Sequence, residues 1–140
     1  MQLEKLKLKD GNAVSSDNKQ IYILDDDKSV RCSLKTFLVS YGFAVDTFSS
    51  AEEFSSDVRN KAPGCLILDI HMPVLNGLDI QQRLTKERYN LPVIVITADR
   101  DERFKEQALK AGAVGFLQKP FENRYLLHMV NQVFNKRRTI

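Results

Sequence analysis

Cysteine is scarce in this chain. Cys32 and Cys65 are the only two in 140 residues, far apart and without metal-ligand spacing, so nothing suggests a disulfide scaffold. Cys65 opens an apolar run and Cys32 falls within a helical pattern; both are expected as small core or near-core residues. Long hydrophobic runs are missing too. No segment approaches membrane-spanning length, and the N-terminus lacks the apolar stretch of a signal peptide, so a cytoplasmic protein is expected. Charge of one sign is also lacking: the net charge is +3, and the basic residues are scattered apart from Lys136-Arg137-Arg138. A DNA-binding module shows a basic face or helix, so direct nucleic-acid binding is not expected, and the terminal cluster reads as a solvated helix end or the start of a linker. There is no GxxxxGK[ST] and no Gly-rich phosphate loop, which argues against a nucleoside triphosphatase of that type.

What is present is an ordinary soluble composition, 43% hydrophobic and 28% charged, in a length that suits one domain. Residues 1–19, with Leu3, Leu6 and Leu8 followed by a polar stretch, read as an extension and linker outside the core. The domain proper is expected over residues 20–136, with 137–140 as a tail or linker start.

From Gln20 onward the pattern alternates. Ile21-Tyr22-Ile23-Leu24 predicts a first strand, and Val30, Leu34, Phe37, Leu38 and Tyr41 a first helix over 28–41, stopped by Gly42. A second strand follows at 43–48. Ser50 and Glu53 form a capping box for a second helix, which Pro63-Gly64 ends. The third strand covers 65–69 and the third helix about 78–87. Val93-Ile94-Val95-Ile96-Thr97 is the fourth strand, about 101–111 the fourth helix, 114–117 the fifth strand and 121 to about 135 the fifth helix. Five strands alternating with five helices imply an α/β fold with a parallel sheet covered on both faces.

In such a sheet, ligands bind outside the carboxyl ends of the strands. Those ends carry Asp25-Asp26-Asp27 after strand 1, Asp69 on strand 3, Thr97-Ala98 on strand 4 and Lys119-Pro120 after strand 5. Carboxylates gathered there repel one another, and a hard divalent cation, Mg²⁺ or Mn²⁺, is the natural counter-charge. With Lys119 and the Thr97 hydroxyl beside it, such a cluster suits a phosphoryl group. Only two acids are needed after strand 1, so Asp27 is expected to cap the first helix. Asp69 is followed by Ile70 and His71, not by a second acid two residues on, so the acid–base pair of aspartyl-phosphate phosphatases is absent. A carboxylate nucleophile without turnover machinery favours a switch over an enzyme.

The stretches ILDDDKSVR, LDIHMPVLNG, VIVITAD and AGAVGFLQKPF, in this order, resemble the receiver domains of bacterial two-component response regulators. That family is CheY-like, and the sequence is most similar to its FixJ/NarL-like branch. The intervals of 43 residues from Asp26 to Asp69, 28 on to Thr97 and 22 on to Lys119 match the family spacing. The resemblance implies a flavodoxin-like (βα)5 doubly wound sheet with strand order 2-1-3-4-5. It implies Asp69 as phospho-acceptor, with metal held by Asp25, Asp26, Asp69 and the backbone carbonyl of His71. Thr97 and Lys119 would contact the phosphoryl group, Thr97 and Phe116 would be the switch pair, and the Lys119–Pro120 bond would be cis. His71 and Asp99, two residues after the acceptor and the threonine, would tune phosphate lifetime. The implied partner is a sensor histidine kinase or phosphotransfer protein, and the face of helix 4, strand 5 and helix 5 is the implied dimerisation or output surface. A DNA-binding output domain would belong to a longer parent. Two rival readings stay open: a pseudo-receiver acting as an interaction module, which usually loses one of these residues, and a small metal-dependent phosphohydrolase, which lacks a clear acid–base pair here.

Overall fold

The computed structural model describes residues 19–50, 53–54, 63–70 and 91–138. Residues 1–18 of the expected extension, most of the second helix, the whole third helix, His71 and the last two residues lie outside the described residues. The described elements are β1 (Gln20–Leu24), α1 (Lys28–Ser40), β2 (Ala44–Phe48), β3 (Cys65–Asp69), β4 (Val93–Thr97), α2 (Glu102–Lys110), β5 (Gly115–Gln118) and α3 (Asn123–Arg138). Thus α2 and α3 are the expected fourth and fifth helices.

The strands form one parallel sheet in the order β2-β1-β3-β4-β5, the doubly wound order the resemblance implies. Every residue of β3 and β4 is buried, as continuous apolar runs require when helices cover both faces. On one face, Ile21, Ile23, Cys65, Ile67, Ile94 and Ile96 pack with Leu34 and Leu38 of α1 and with Leu126, Val130, Val133 and Phe134 of α3. On the other, Tyr22, Leu24, Leu66, Leu68, Val93 and Val95 pack with Phe48, Phe54 and Ala108 of α2. The alternation of the strands divides these two cores. Among the described residues, no helix is long and apolar enough to cross a membrane.

Helix ends follow their capping residues. Asp27 caps α1 as expected, its Oδ1 accepting from the Ser29 and Val30 N–H groups at 2.8 and 3.3 Å. Gly42 and Gly112 follow α1 and α2 with φ of 94° and 102°, a conformation that favours glycine. At the capping box, the Glu53 N–H donates to Ser50 Oγ, while Glu53 Oε1 accepts from the N–H of Ser49, one residue before the cap.

Two expectations need correction. Cys32 is exposed, because two positions along a helix from the buried Leu34 is a rotation of roughly 200°, which points it to solvent. Tyr41 is also exposed; it is the C-cap of α1, where helical spacing ends, and its ring lies against Phe37 with centroids 5.1 Å apart. Boundaries shift by a residue or two: β2 starts at Ala44, β5 runs one residue later than expected, and α3 starts at Asn123 because Lys119 and Pro120 occupy a bend.

Gly64 lies where the chain enters β3 beside β1. A Cβ there would meet the Gln20 carbonyl oxygen at 2.3 Å, a backbone atom that cannot step aside, and the Tyr22 ring at 3.1 Å. At Gly115 the obstacle is Met129 Sδ at 2.9 Å, on a flexible side chain. Gly64→Ala is expected to lower stability by about 2 kcal/mol or more and Gly115→Ala by less than about 1 kcal/mol. Urea denaturation midpoints of the two variants check this, and equal losses would refute the steric argument.

Candidate functional site

Register builds the site. Leu24 pairs with Leu68, Asp69 with Ile96, and Thr97 with Gln118. The next residues of β1 and β5 are Asp25 and Lys119, so Asp25, Asp69, Thr97 and Lys119 reach the same carboxyl edge of the sheet. Hydrogen bonds continue one step past the strands: Asp25 N–H to the Phe48 carbonyl at 3.2 Å, Ile70 N–H to Ile96 at 3.0 Å, and Lys119 N–H to Thr97 at 2.7 Å. These bonds fix the backbone where the polar residues begin.

Asp25 is fully buried. Its Oδ1 accepts the Asp27 N–H at 2.9 Å and its Oδ2 the Lys119 ammonium at 2.9 Å. Lys119 Nζ also lies 3.5 Å from Asp69 Oδ2. Asp69 is buried, and Asp26 is exposed at the mouth. Burial alone would pull the Lys119 pKa down, but the hydrogen bond to Asp25 and the charges of Asp69 and Asp25 outweigh it and push the pKa up. Lys119 therefore stays charged and ties two strand ends together.

One carboxylate oxygen each from Asp25, Asp26 and Asp69 lies within 4.8 Å of the others. Hard oxygens at that spacing fit a divalent cation, and three carboxylates against one ammonium leave the cluster negative. Thr97, fully buried, lies one strand over, its Oγ1 accepting the Asp99 N–H at 3.1 Å. Phe116 is half-buried on the same face of the sheet as Thr97, against the core that holds Tyr22 and Leu24. The Lys119–Pro120 peptide bond is cis. Asp99 lies in the loop between β4 and α2, and His71 is outside the described residues.

Residues 21–131 match the family model described as the response regulator receiver domain. The chain belongs to that family. This receiver domain is 46% identical over 107 residues to the response regulator protein TodT of Pseudomonas putida, covering 76% of this chain and 47% of TodT. It is 40% identical over 123 residues to the transcriptional regulatory protein TdiR of Thauera aromatica, covering 88% and 52%. The crystal structure of FixJ-N superposes with a TM-score of 0.78 at 35% identity, over 83% of this chain and 93% of that one. The chain spans about half the length of the curated relatives it matches.

Two contributors to the receiver domain's site escaped the sequence reading. Arg31 lies one turn into α1 and its guanidinium donates to the Asp25 carbonyl at 2.7 Å, placing a positive charge behind the acidic cluster. Its position four residues after the Asp27 cap was the available signal. Gln118 is the polar residue that closes the apolar run of β5 beside Thr97, and its Nε2 is buried without a hydrogen-bond partner among the described residues.

The charge balance is testable without any ligand. Removing the ammonium while Asp25 stays buried leaves an uncompensated carboxylate, so Lys119→Met is expected to lower stability in chelator by about 3 kcal/mol. Asp26→Asn, which relieves repulsion at the mouth, should instead raise Tm in chelator. Thermal melts with EDTA give both answers, and a neutral Lys119→Met would show that this pair does not hold the cluster.

Proposed function

We propose that this receiver domain is the phospho-acceptor switch of a two-component system. A carboxylate oxygen of Asp69 attacks the phosphorus of a phosphohistidine on a sensor histidine kinase or phosphotransfer protein. The P–N bond breaks as an acyl phosphate forms on Asp69, and the imidazole leaves with the electron pair. The observation that carries the reading is the gathering of Asp25, Asp26 and Asp69 at the strand ends, with the Lys119 ammonium against Asp25 and Asp69. Mg²⁺ or Mn²⁺, held by Asp25, Asp26 and Asp69 with the backbone carbonyl of His71, would neutralise charge on the phosphoryl oxygens. Lys119 Nζ, already beside Asp69, pairs with the new anion, and the Thr97 hydroxyl donates to it. Little in this set activates water for turnover, so the domain acts as a switch that catalyses only its own modification and a slow return.

The added group brings about −1.5 to −2 charge at neutral pH. Thr97 turns toward it, Phe116 moves inward, and the face formed by α2, β5 and α3 is remodelled. Leu109, Val114 and Tyr125, each about half exposed on α2, before β5 and on α3, support that face as a dimerisation or output surface. The name of TdiR, a transcriptional regulatory protein about twice as long as the matched region, supports a transcriptional output in a longer parent.

Incubation with acetyl phosphate and Mg²⁺ should add one phosphoryl group by intact mass. The gain should vanish with EDTA and in Asp69→Asn. No gain, with Mg²⁺ binding shown separately, would instead make the domain a pseudo-receiver with an interaction role. A second expectation concerns phosphate lifetime. Asp99→Asn keeps an oxygen to accept the Asp101 N–H but removes a charge two residues after Thr97, so it should change the rate of phosphate loss several-fold with little change in Tm. Equal half-lives for the two proteins would exclude Asp99 from tuning.

A further inference from the structure

The Asp25-Asp26-Asp27 turn is held at three points. The Asp25 N–H donates to the Phe48 carbonyl at 3.2 Å, the Asp27 N–H donates to Asp25 Oδ1 at 2.9 Å, and the Arg31 guanidinium donates to the Asp25 carbonyl at 2.7 Å. The Arg31 N–H donates in turn to the Asp27 carbonyl at 3.0 Å. One residue thus closes the first turn of α1 with its backbone and reaches back to the strand end with its side chain, the direction in which helical side chains lean. Lys119 holds the Asp25 and Asp69 carboxylates directly. Asp26 is exposed, and its place beside those two is set by the peptide units on either side of it. The unit after it is fixed through the Asp27 N–H. The unit before it is fixed through the Asp25 carbonyl, where Arg31 is the donor.

We propose that Arg31 is a positioning residue of the cation site: by holding the Asp25 carbonyl it fixes the Asp25–Asp26 peptide unit and keeps the Asp26 carboxylate where a divalent ion can share it with Asp25 and Asp69. The inference rests on the phospho-acceptor reading for taking this cluster as a Mg²⁺ site. On charge alone a guanidinium is an unfavourable neighbour there, because a fixed positive charge repels an incoming cation. Two effects therefore oppose each other at Arg31. Its charge weakens cation binding, and its hydrogen bond strengthens binding by holding the backbone that carries a ligand. Positioning is the larger effect, since a carboxylate that swings away takes a whole negative charge out of contact with the ion, whereas the guanidinium is turned to the backbone of the turn. The two effects have opposite signs, so removing the side chain decides between them.

The test is a Mg²⁺ titration followed by backbone amide NMR on the wild type, Arg31→Met, Arg31→Lys and Lys35→Met, which reads the folded protein alone. Arg31→Met should raise the Kd for Mg²⁺ about tenfold, the scale seen when a group that orients a metal ligand is removed. Arg31→Lys keeps the charge and a donor on a shorter stem, and should recover part of that loss. Lys35→Met removes the same unit of charge from the exposed side of α1 without touching the Asp25 carbonyl, and should leave the Kd unchanged or slightly lower. An Arg31→Met protein that binds Mg²⁺ as tightly as the wild type, or more tightly, would overturn the proposal and leave Arg31 as a charge only. A loss in Arg31→Met with no recovery in Arg31→Lys would overturn it too. Phosphoryl uptake from acetyl phosphate, read by intact mass, should be slower in Arg31→Met at limiting Mg²⁺ and return to the wild-type rate at saturating Mg²⁺. A rate that stays low at saturation would overturn the proposal by placing Arg31 on the phosphoryl group. A wild type that binds no Mg²⁺ would overturn it together with the metal reading. Failure of the wild type to take up phosphate while binding Mg²⁺ would count against the acceptor reading alone, and the titration would still decide the role of Arg31.

Discussion

The ammonium of Lys119 between Asp25 and Asp69 is the contact on which the rest of this edge of the sheet depends. A parallel sheet brings every strand to its carboxyl end on the same side, so polar residues placed there must share one small region. Asp25 is the extreme case, without any exposure to water. A charge in that position stays only if its lone pairs are used, and the Asp27 N–H and Lys119 use them. Lys119 joins β5, at one edge of the sheet, to β1 across two intervening strands. The same ammonium therefore compensates both buried carboxylates at once.

The cluster is only partly neutralised, and that gives it its sensitivity. Asp26 adds a third carboxylate within 4.8 Å of the other two, at the exposed side. Mutual repulsion among them favours whatever supplies positive charge there, and Arg31 behind Asp25 offsets it only at a distance. A site balanced this closely changes its electrostatic energy appreciably with any single charge added there, which a fully neutral core would not do.

Much of this was legible beforehand, and the reasons differ by element. Strands β3 and β4 were read correctly because Cys65–Leu68 and Val93–Ile96 are unbroken apolar runs, which only a strand covered on both sides tolerates at that length. The sheet order and the family followed from short motifs at fixed intervals. The first helix was also recognised, yet Cys32 was expected in or near the core and lies on the solvent side, and Tyr41 was expected within the helix and lies just past its end. Apolar character at helical spacing does not say which of several apolar residues face the sheet; Leu34 and Leu38 set that face, and Cys32 lies opposite. The bonds from Thr97 Oγ1 to the Asp99 N–H and from Asp99 Oδ1 to the Asp101 N–H were not legible at all. They depend on loop dihedrals that bring each side chain to the amide two residues on, and the same residue types in another turn would face water.

The described helices also differ in how much apolar side chain they bury. Helix α1 buries Leu34 and Leu38, and α3 buries Leu126, Val130, Val133 and Phe134. Helix α2 buries Ala108 fully, with Phe104 only partly covered. Burying a leucine or phenylalanine contributes about 1.5–3 kcal/mol, and an alanine methyl much less, so α2 is held to the sheet by the smallest apolar contact of the three. Shifting α3 along the sheet would disturb four buried side chains, whereas α2 has Ala108 alone fully buried among the described residues.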